Sequence, residues 1–181
     1  MSSTTDVLII GGGPAGLAAA LSAQEAGARV TLLERNEKLG KKLYITGKGR
    51  CNVTNICDRE AFLEHVPRNP RFLNAALDAL SPASLVDWLA RLGCPTVLER
   101  GNRVFPESQK ASDVTRALSG GLKSADVRLG AGVSSLLTQT DAVAGVRLDS
   151  GRDIHAKAVV VATGGLSYPL TGSTGDGYRF A

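Results

Sequence analysis

Aromatic residues and long hydrophobic runs are both scarce in this chain of 181 residues. Aromatics make up 4% of the sequence, so aliphatic side chains and alanine must build the core. The first apolar run, at residues 7–10, is too short for a signal sequence or a membrane span, so we expect no membrane association. With 43% hydrophobic and 21% charged residues, the composition is that of an ordinary globular protein.

Cysteine and histidine are also rare, and their spacing excludes several kinds of site. The three cysteines include no CxxC pair and are odd in number, which argues against a disulfide framework and favours a reduced, cytoplasmic protein. His65 and His155 have no Cys, Asp or Glu companion at metal-ligand spacing, so no metal site is predicted. No GxSxG or Ser/His/Asp pattern indicates a hydrolase.

The net charge of +4 is spread along the chain and reaches its highest density at residues 35–50. A mildly positive surface suits an anionic cofactor or substrate, although an average surface charge explains it equally well. Because there is no polybasic block, no nucleic-acid partner is expected.

The first 34 residues have the pattern of a dinucleotide-binding βαβ unit. The run at residues 7–10 predicts a buried parallel strand, residues 14–26 a helix that Gly27 ends, and residues 29–34 a second strand. Between the first strand and the helix lies a GxGxxG turn. Gly11 permits the tight turn, Gly13 lets the backbone approach a pyrophosphate, and Gly16 lets the helix pack on the strand.

Glu34 ends the second strand, close to the distance of about 20 residues at which this fingerprint places an acid. A carboxylate there accepts hydrogen bonds from a ribose and repels a 2′-phosphate, so it favours FAD or NAD over a 2′-phosphorylated dinucleotide. Pro14 is compatible with the first helical turn, whose free N–H groups face the phosphates.

The remaining elements favour FAD over NAD. A long, glycine-rich, basic loop at residues 36–58 is followed by helices at 71–80, 82–92 and 112–123 and by two short strands within 95–106. Strands at 127–129, 133–139 and 143–148 precede a buried strand, 158–162, that ends in Thr163 and glycines. A strand hairpin beside an Ala-Thr-Gly-ending strand is the layout of flavoproteins that bind two dinucleotides.

Three segments resemble the HI0933-like flavoproteins. Residues 46–55 (TGKGRCNVTN) resemble the family's GGRCNxTN signature, residues 105–111 (FPESQKA) its FPxSxKA segment, and residues 162–178 its ATGGxSYPxTGSTGDGY segment. Lys48 stands where many relatives have glycine. The resemblance covers residues 6–181.

The resemblance implies an α/β fold with a Rossmann-like FAD-binding domain of the glutathione-reductase/fumarate-reductase type, combining a parallel sheet with a β-hairpin or meander layer. Family members are longer than this chain. We therefore expect residues 1–181 to be the N-terminal part of the FAD-binding domain, without the family's insertion domain and the C-terminal segment that closes the FAD site.

The cofactor site is predicted from the fingerprint and from the family segments together. Arg50 is expected to neutralise the pyrophosphate or the reduced flavin, Asn52 to bind the flavin or ribityl chain, and Val133 to contact adenine through its backbone. Asp176 faces the flavin or substrate, or caps a helix near Tyr178. The predicted cofactor-binding residues are Gly11, Gly13, Pro14, Ala15, Gly16, Glu34, Arg35, Lys42, Gly49, Arg50, Cys51, Asn52, Val133, Ala162, Thr163, Gly164, Gly165 and Asp176.

The resemblance implies an FAD-dependent oxidoreductase that transfers hydride or electrons between a donor, such as NAD(P)H, and a small organic substrate. Some family members are linked to reduction of unsaturated steroid-type compounds and others to amine oxidation, and the motifs do not separate these. A flavin-dependent RNA-modifying enzyme and a non-catalytic dinucleotide-binding module remain alternatives. No catalytic residue, substrate or oligomeric state follows from the sequence.

Overall fold

The strand, glycine turn, helix and strand predicted at the start of the chain are present in the computed structural model, which describes residues 5–181. The strands are β1 (Thr5–Ile10), β2 (Val30–Leu33), β3 (Thr54–Asn55), β4 (Thr96–Glu99), β5 (Arg103–Pro106), β6 (Asp126–Arg128), β7 (Val133–Gln139), β8 (Ala142–Leu148) and β9 (Asp153–Val161). The α-helices are α1 (Pro14–Glu25), α2 (Arg59–Glu64), α3 (Asn74–Ala79), α4 (Pro82–Arg91), α5 (Ala111–Gly120) and α6 (Asp176–Phe180).

These elements divide into two units. Unit 1 contains residues 5–43 and 118–181, and unit 2 contains residues 44–117. The predicted loop at 36–58 therefore runs from one unit into the other, and it carries short 3-10 turns at Leu43–Gly49 and the strand β3. Helix α5 ends three residues before the predicted Lys123.

Unit 1 is built on a six-stranded mixed sheet in the order β6-β2-β1-β9-β8-β7. Strand β1 pairs in parallel with β2 and β9, and β2 pairs in parallel with β6. The predicted hairpin of β7 and β8 joins the same sheet through β9, which pairs antiparallel with β8. Thr140 and Asp141 form its two-residue turn, and both have positive φ as a type I′ turn requires.

The core of unit 1 lies along the central strands. Leu8 and Ile9 of β1 have no exposed surface, so the predicted buried strand is confirmed there. The same prediction for residues 158–162 is wrong, because Val160 and Val161 are 36% and 42% exposed. Val161 stands at the carboxyl end of the sheet, where it lines a cleft instead of packing in the core.

Unit 2 combines a three-stranded antiparallel sheet, in the order β3-β5-β4, with the helices α2 to α4 and the first part of α5. Helix α4 begins as predicted: Ser81 is its N-cap, and its Oγ accepts a hydrogen bond from the Ser84 N–H at 3.1 Å. Val104 and Phe105 of β5 are 2% and 1% exposed and form part of the core of this unit.

Candidate functional site

A cleft of about 450 Å³ opens in unit 1 at the carboxyl ends of β1, β2 and β9. Ligands of open α/β sheets bind at this edge, outside the carboxyl ends of the parallel strands. Twelve of the predicted cofactor residues line the cleft, namely Gly11, Gly13, Pro14, Ala15, Glu34, Arg35, Lys42, Val133, Ala162, Thr163, Gly164 and Asp176.

Gly13 leaves the cleft open at the N-terminus of α1. It is the N-cap of this helix with an extended backbone (φ −76°, ψ −179°), and a Cβ added to it would meet no atom within 4 Å. The glycine is therefore required by neither backbone conformation nor packing. A side chain at this position would fill space in the cleft, where the first-turn N–H groups and Pro14 also lie.

Gly11 and Gly16 are constrained by the protein itself. Gly11 has φ +107°, and a Cβ on it would lie 2.5 Å from the carbonyl oxygen of Ala162, the residue directly after the neighbouring strand β9. A Cβ on Gly16 would collide with the carbonyl oxygen of Gly11. Gly16 does not line the cleft, and its contacts fit the predicted role of close packing between helix and strand.

Glu34 connects the glycine turn to the end of β2. Its side chain is buried, with 7% of the residue exposed. Oε2 accepts the backbone N–H of Gly12 at 2.7 Å, and Oε1 accepts the backbone N–H and the side-chain amide of Asn36 at 2.8 and 2.6 Å. These bonds fix the carboxylate at the wall of the cleft, use both lone pairs of Oε1 and leave Oε2 one further lone pair for a ligand hydroxyl.

Arg35 and Asp176 both line the cleft and form an ion pair with each other. Arg35 Nη2 lies 2.6 Å from Asp176 Oδ2, and Arg35 Nη1 donates to Thr174 Oγ1 at 2.9 Å. Arg179 also pairs with Asp176, at 3.1 Å. Helix α6 begins at Asp176 itself after Gly175, so Asp176 is a first-turn residue of that helix and not the cap of one starting at Tyr178.

The cleft has more positive than negative side chains along its wall. Lys41 and Lys42 line it beside Arg35, against the carboxylates Glu34 and Asp176. Lys42 Nζ donates to the carbonyl oxygen of Ser167 at 2.7 Å, which holds its ammonium group at the loop after β9. This balance of charge favours an anionic ligand.

The loop after β9 brings backbone into the cleft. The Ala162 N–H donates to the carbonyl oxygen of Ile10 at 2.8 Å, and Gly164 follows with φ +76°. Within the described residues, the buried hydroxyl of Thr163 has no hydrogen-bond partner. A buried hydroxyl without a partner is costly, so a bound molecule that offers one would stabilise it. Gly165 belongs to this loop but does not line the cleft.

The other four predicted cofactor residues, Gly49, Arg50, Cys51 and Asn52, belong to unit 2 and do not line the cleft of unit 1. Arg50 Nη1 pairs with Glu99 Oε1 at 2.9 Å and donates to Gln109 Oε1 at 2.8 Å. Its guanidinium also lies 4.1 Å from the centroid of the Phe105 ring.

Cys51 and Asn52 also have neighbours inside unit 2. Burial raises the pKa of the Cys51 thiol, which a hydrogen bond with Thr46 only partly offsets, so the thiol stays protonated at neutral pH. The side-chain amide of Asn52, oriented so that its nitrogen donates, reaches the carbonyl oxygens of Thr54 and Val104. A cofactor role for these residues remains a prediction.

Several residues of the cleft were not predicted. Asn36 holds the Glu34 carboxylate, and its position directly after the acid and an arginine gave no recognised signal. Thr171, Gly172 and Ser173 lie within the family segment at 162–178, which would have been enough to nominate them. Ala131 and Gly132 precede β7 without any pattern of their own.

None of the helices in residues 5–181 has the length and apolar character needed to cross a membrane.

Comparison with known proteins agrees with this architecture. The chain is 34% identical to a 3-dehydro-bile acid delta(4,6)-reductase from Clostridium scindens over 96% of its length and 42% of that protein. It is 30% identical to a ribosomal RNA dihydrouridine synthase from Escherichia coli over 97% of its length and 43% of that protein. The chain thus spans less than half the length of these curated relatives.

A solved flavocytochrome c3 fumarate reductase has the same fold, with a TM-score of 0.68 and 31% identity over 91% of this chain and 34% of that one. The model of the HI0933-like protein Rossmann domain matches residues 5–181, which are all the residues that the structure describes. The chain therefore belongs to the HI0933-like family, and its βαβ unit, glycine turn and mixed sheet are those of the family's Rossmann domain.

Proposed function

We propose that the cleft of unit 1 binds FAD and that the chain is the cofactor-binding part of an FAD-dependent oxidoreductase. The proposal rests mainly on the free space beside Gly13. Its missing side chain leaves free space at the N-terminus of α1, where nothing in the fold itself requires a glycine. A close backbone approach to a pyrophosphate explains that space, and the free N–H groups of the helix stabilise its charge.

The remaining wall of the cleft suits the other parts of FAD. Because both residues line the cleft, we expect the Glu34 carboxylate to accept a ribose hydroxyl and the backbone of Val133 to contact the adenine. The unpartnered Thr163 hydroxyl and the Gly164 backbone offer polar groups from the loop after β9. FAD would supply the hydride-transfer chemistry, while these residues bind and orient it.

The reaction we propose is hydride or electron transfer to a small organic substrate, with NAD(P)H as one donor. The names of the relatives support it, because they describe reduction of a bile acid and of fumarate. Both substrates are unsaturated compounds. A cytoplasmic location, predicted from the unpaired cysteines, belongs to the same proposal; Cys51, Cys57 and Cys94 are all free thiols.

The absorbance spectrum of the purified protein tests the cofactor directly. We expect the protein either to carry flavin bands as purified or to acquire them on addition of FAD, and to do so without added metal. A colourless protein that binds NAD and not FAD would contradict the proposal. A flavin-loaded protein that oxidises no hydride donor would support the non-catalytic binding module instead.

A second candidate function is flavin-dependent modification of RNA. It is favoured by the Escherichia coli relative, which is named a ribosomal RNA dihydrouridine synthase. It requires RNA binding that weakens as salt is raised, because cations on the protein displace the counterions of the phosphates. The sequence has no polybasic block that would indicate such binding. This candidate therefore requires an RNA-binding surface of another kind on the protein.

A further inference from the structure

The segment Pro67–Leu73 of unit 2 presents an aromatic ring to solvent between basic residues. Phe72 is 84% exposed, whereas Phe105 of the same unit is 1% exposed. The chain has only four phenylalanines, so an almost fully exposed one is an unusual use of a scarce residue. A ring exposed to this extent is available to contact another molecule.

The arginines beside Phe72 are exposed and without an acidic partner. Arg68 and Arg71 take part in no ion pair of the residues 5–181. In the same unit, Arg50 and Arg59 pair with Glu99 and Asp78. The two arginines of this segment are therefore available for an anion outside the unit.

The backbone of the segment has a defined conformation. Asn69 adopts a left-handed conformation (φ +50°, ψ +48°), and its carbonyl oxygen accepts the Phe72 N–H at 3.0 Å. Pro67 and Pro70 restrict the chain on both sides of Arg68. A restricted loop loses less conformational entropy when it binds a ligand.

We propose that Pro67–Leu73 is a binding element for single-stranded RNA, in which Phe72 stacks on an unpaired base and Arg68 and Arg71 contact the flanking phosphates. Aromatic rings flanked by arginines bind single strands because every base has a face for stacking and every nucleotide a negative charge. An apolar partner such as another polypeptide segment would bury the ring equally well, but it would leave two arginines beside it without partners. The inference rests on the second candidate function and identifies the surface that it requires.

The test is the affinity of the full chain for a short, fluorescently labelled single-stranded RNA of mixed sequence, measured by anisotropy at about 50 and 200 mM salt. Phe72→Leu keeps an apolar side chain but removes the ring, and we expect it to weaken binding by roughly tenfold. Phe72→Trp keeps a stacking face and should bind at least as tightly as the wild type. Because the side chain is exposed, neither substitution should affect folding.

The charge contacts are tested separately. Arg68→Gln and Arg71→Gln should each reduce the slope of log affinity against log salt by about 0.7. The matched control is Arg152→Gln, which removes an exposed arginine of unit 1 and should leave the slope nearly unchanged. Absence of RNA binding by the wild type, or equal affinity of Phe72→Leu and wild type, would overturn the inference. Because flavin absorbance is measured independently, an FAD-bearing protein without RNA affinity would refute this surface and leave the FAD proposal intact.

Discussion

At the scale of the single residue, Glu34 has one proposed role that the sequence predicts and one contact that only the structure shows. The sequence places an acid at the end of β2, which predicts a ribose acceptor. It does not show that the same carboxylate accepts the Gly12 N–H, because that bond depends on how the turn folds back on β2. Replacement by alanine would therefore remove the proposed ribose contact and also leave a backbone N–H of the turn without its partner.

Glu34→Gln separates the proposed role from the contact. The amide oxygen can still accept the Gly12 N–H, and the Asn36 side chain can rotate so that its oxygen accepts from the new NH2 group, but the Asn36 backbone N–H loses its acceptor. Since the negative charge is also lost, we expect a folded protein whose affinity for FAD falls by about 1–3 kcal/mol. Discrimination against 2′-phosphorylated ADP relative to ADP should fall as well, because the repulsion of the 2′-phosphate is lost. Calorimetric titrations of both variants with the two nucleotides measure this. Unchanged discrimination would mean that Glu34 does not face the ribose.

Thiol chemistry gives a second prediction at this scale. Burial raises the pKa of the Cys51 and Cys94 thiols, and the charge of Asp113 raises that of Cys94 further. Since the thiolate is the reactive form, both thiols should react with an alkylating reagent only slowly at neutral pH and faster as the pH is raised. Half-buried Cys57 should react first.

Mass spectrometry of the labelled peptides identifies the order of these reactions. The variant Cys57→Ser is the control and should lack the fast phase. Three thiols that react at one rate in the folded protein would contradict the burial of Cys51 and Cys94.

At the scale of the element, local signals predicted much of the fold. Ser81 and Pro82 mark the start of α4, and Thr140 and Asp141 lie where the hairpin of β7 and β8 turns. Contacts between distant residues were not predictable. The pair of Arg50 and Glu99 joins residues 49 positions apart, and no local pattern in either segment points to the other.

The burial of β9 shows why a hydrophobic run alone is insufficient. The run VVVA predicts a buried strand, yet the strand ends beside a cleft and exposes Val160 and Val161. A continuous apolar sequence indicates that a strand tends to be buried on both faces. The sequence of the strand does not indicate which residues border the cleft, because that depends on the neighbouring loops.

The N-cap of α4 offers a prediction for unit 2. Ser81→Ala removes the acceptor of the Ser84 N–H and should lower the free energy of unfolding by about 1 kcal/mol. Ser81→Asp retains an acceptor oxygen and should stay close to the wild type. Thermal or denaturant unfolding of the three proteins measures the difference, and equal stability of the alanine variant would show that this cap does not stabilise the unit.

At the scale of the whole molecule, the family's Rossmann-domain model matches residues of both units, and unit 2 consists of residues 44–117, between the two segments that form unit 1. Both the GxGxxG turn of unit 1 and the family segment at 46–55 were recognisable in the sequence. The structure brings the first into a cleft with Glu34 and the loop after β9. The second lies in unit 2, and its predicted part in cofactor binding remains untested.

The central claim is that the cleft binds FAD at the glycine turn, and a titration of the wild type and Gly13→Val with FAD tests it most directly. The extended backbone of Gly13 accepts valine without strain, so the variant should fold but lose FAD binding, because the side chain occupies the space of the pyrophosphate. Gly120→Val, at another glycine with no atom within 4 Å of an added Cβ, is the control and should bind as the wild type does. FAD affinity that is equal in the wild type and Gly13→Val, or that is absent from the wild type, would contradict the account.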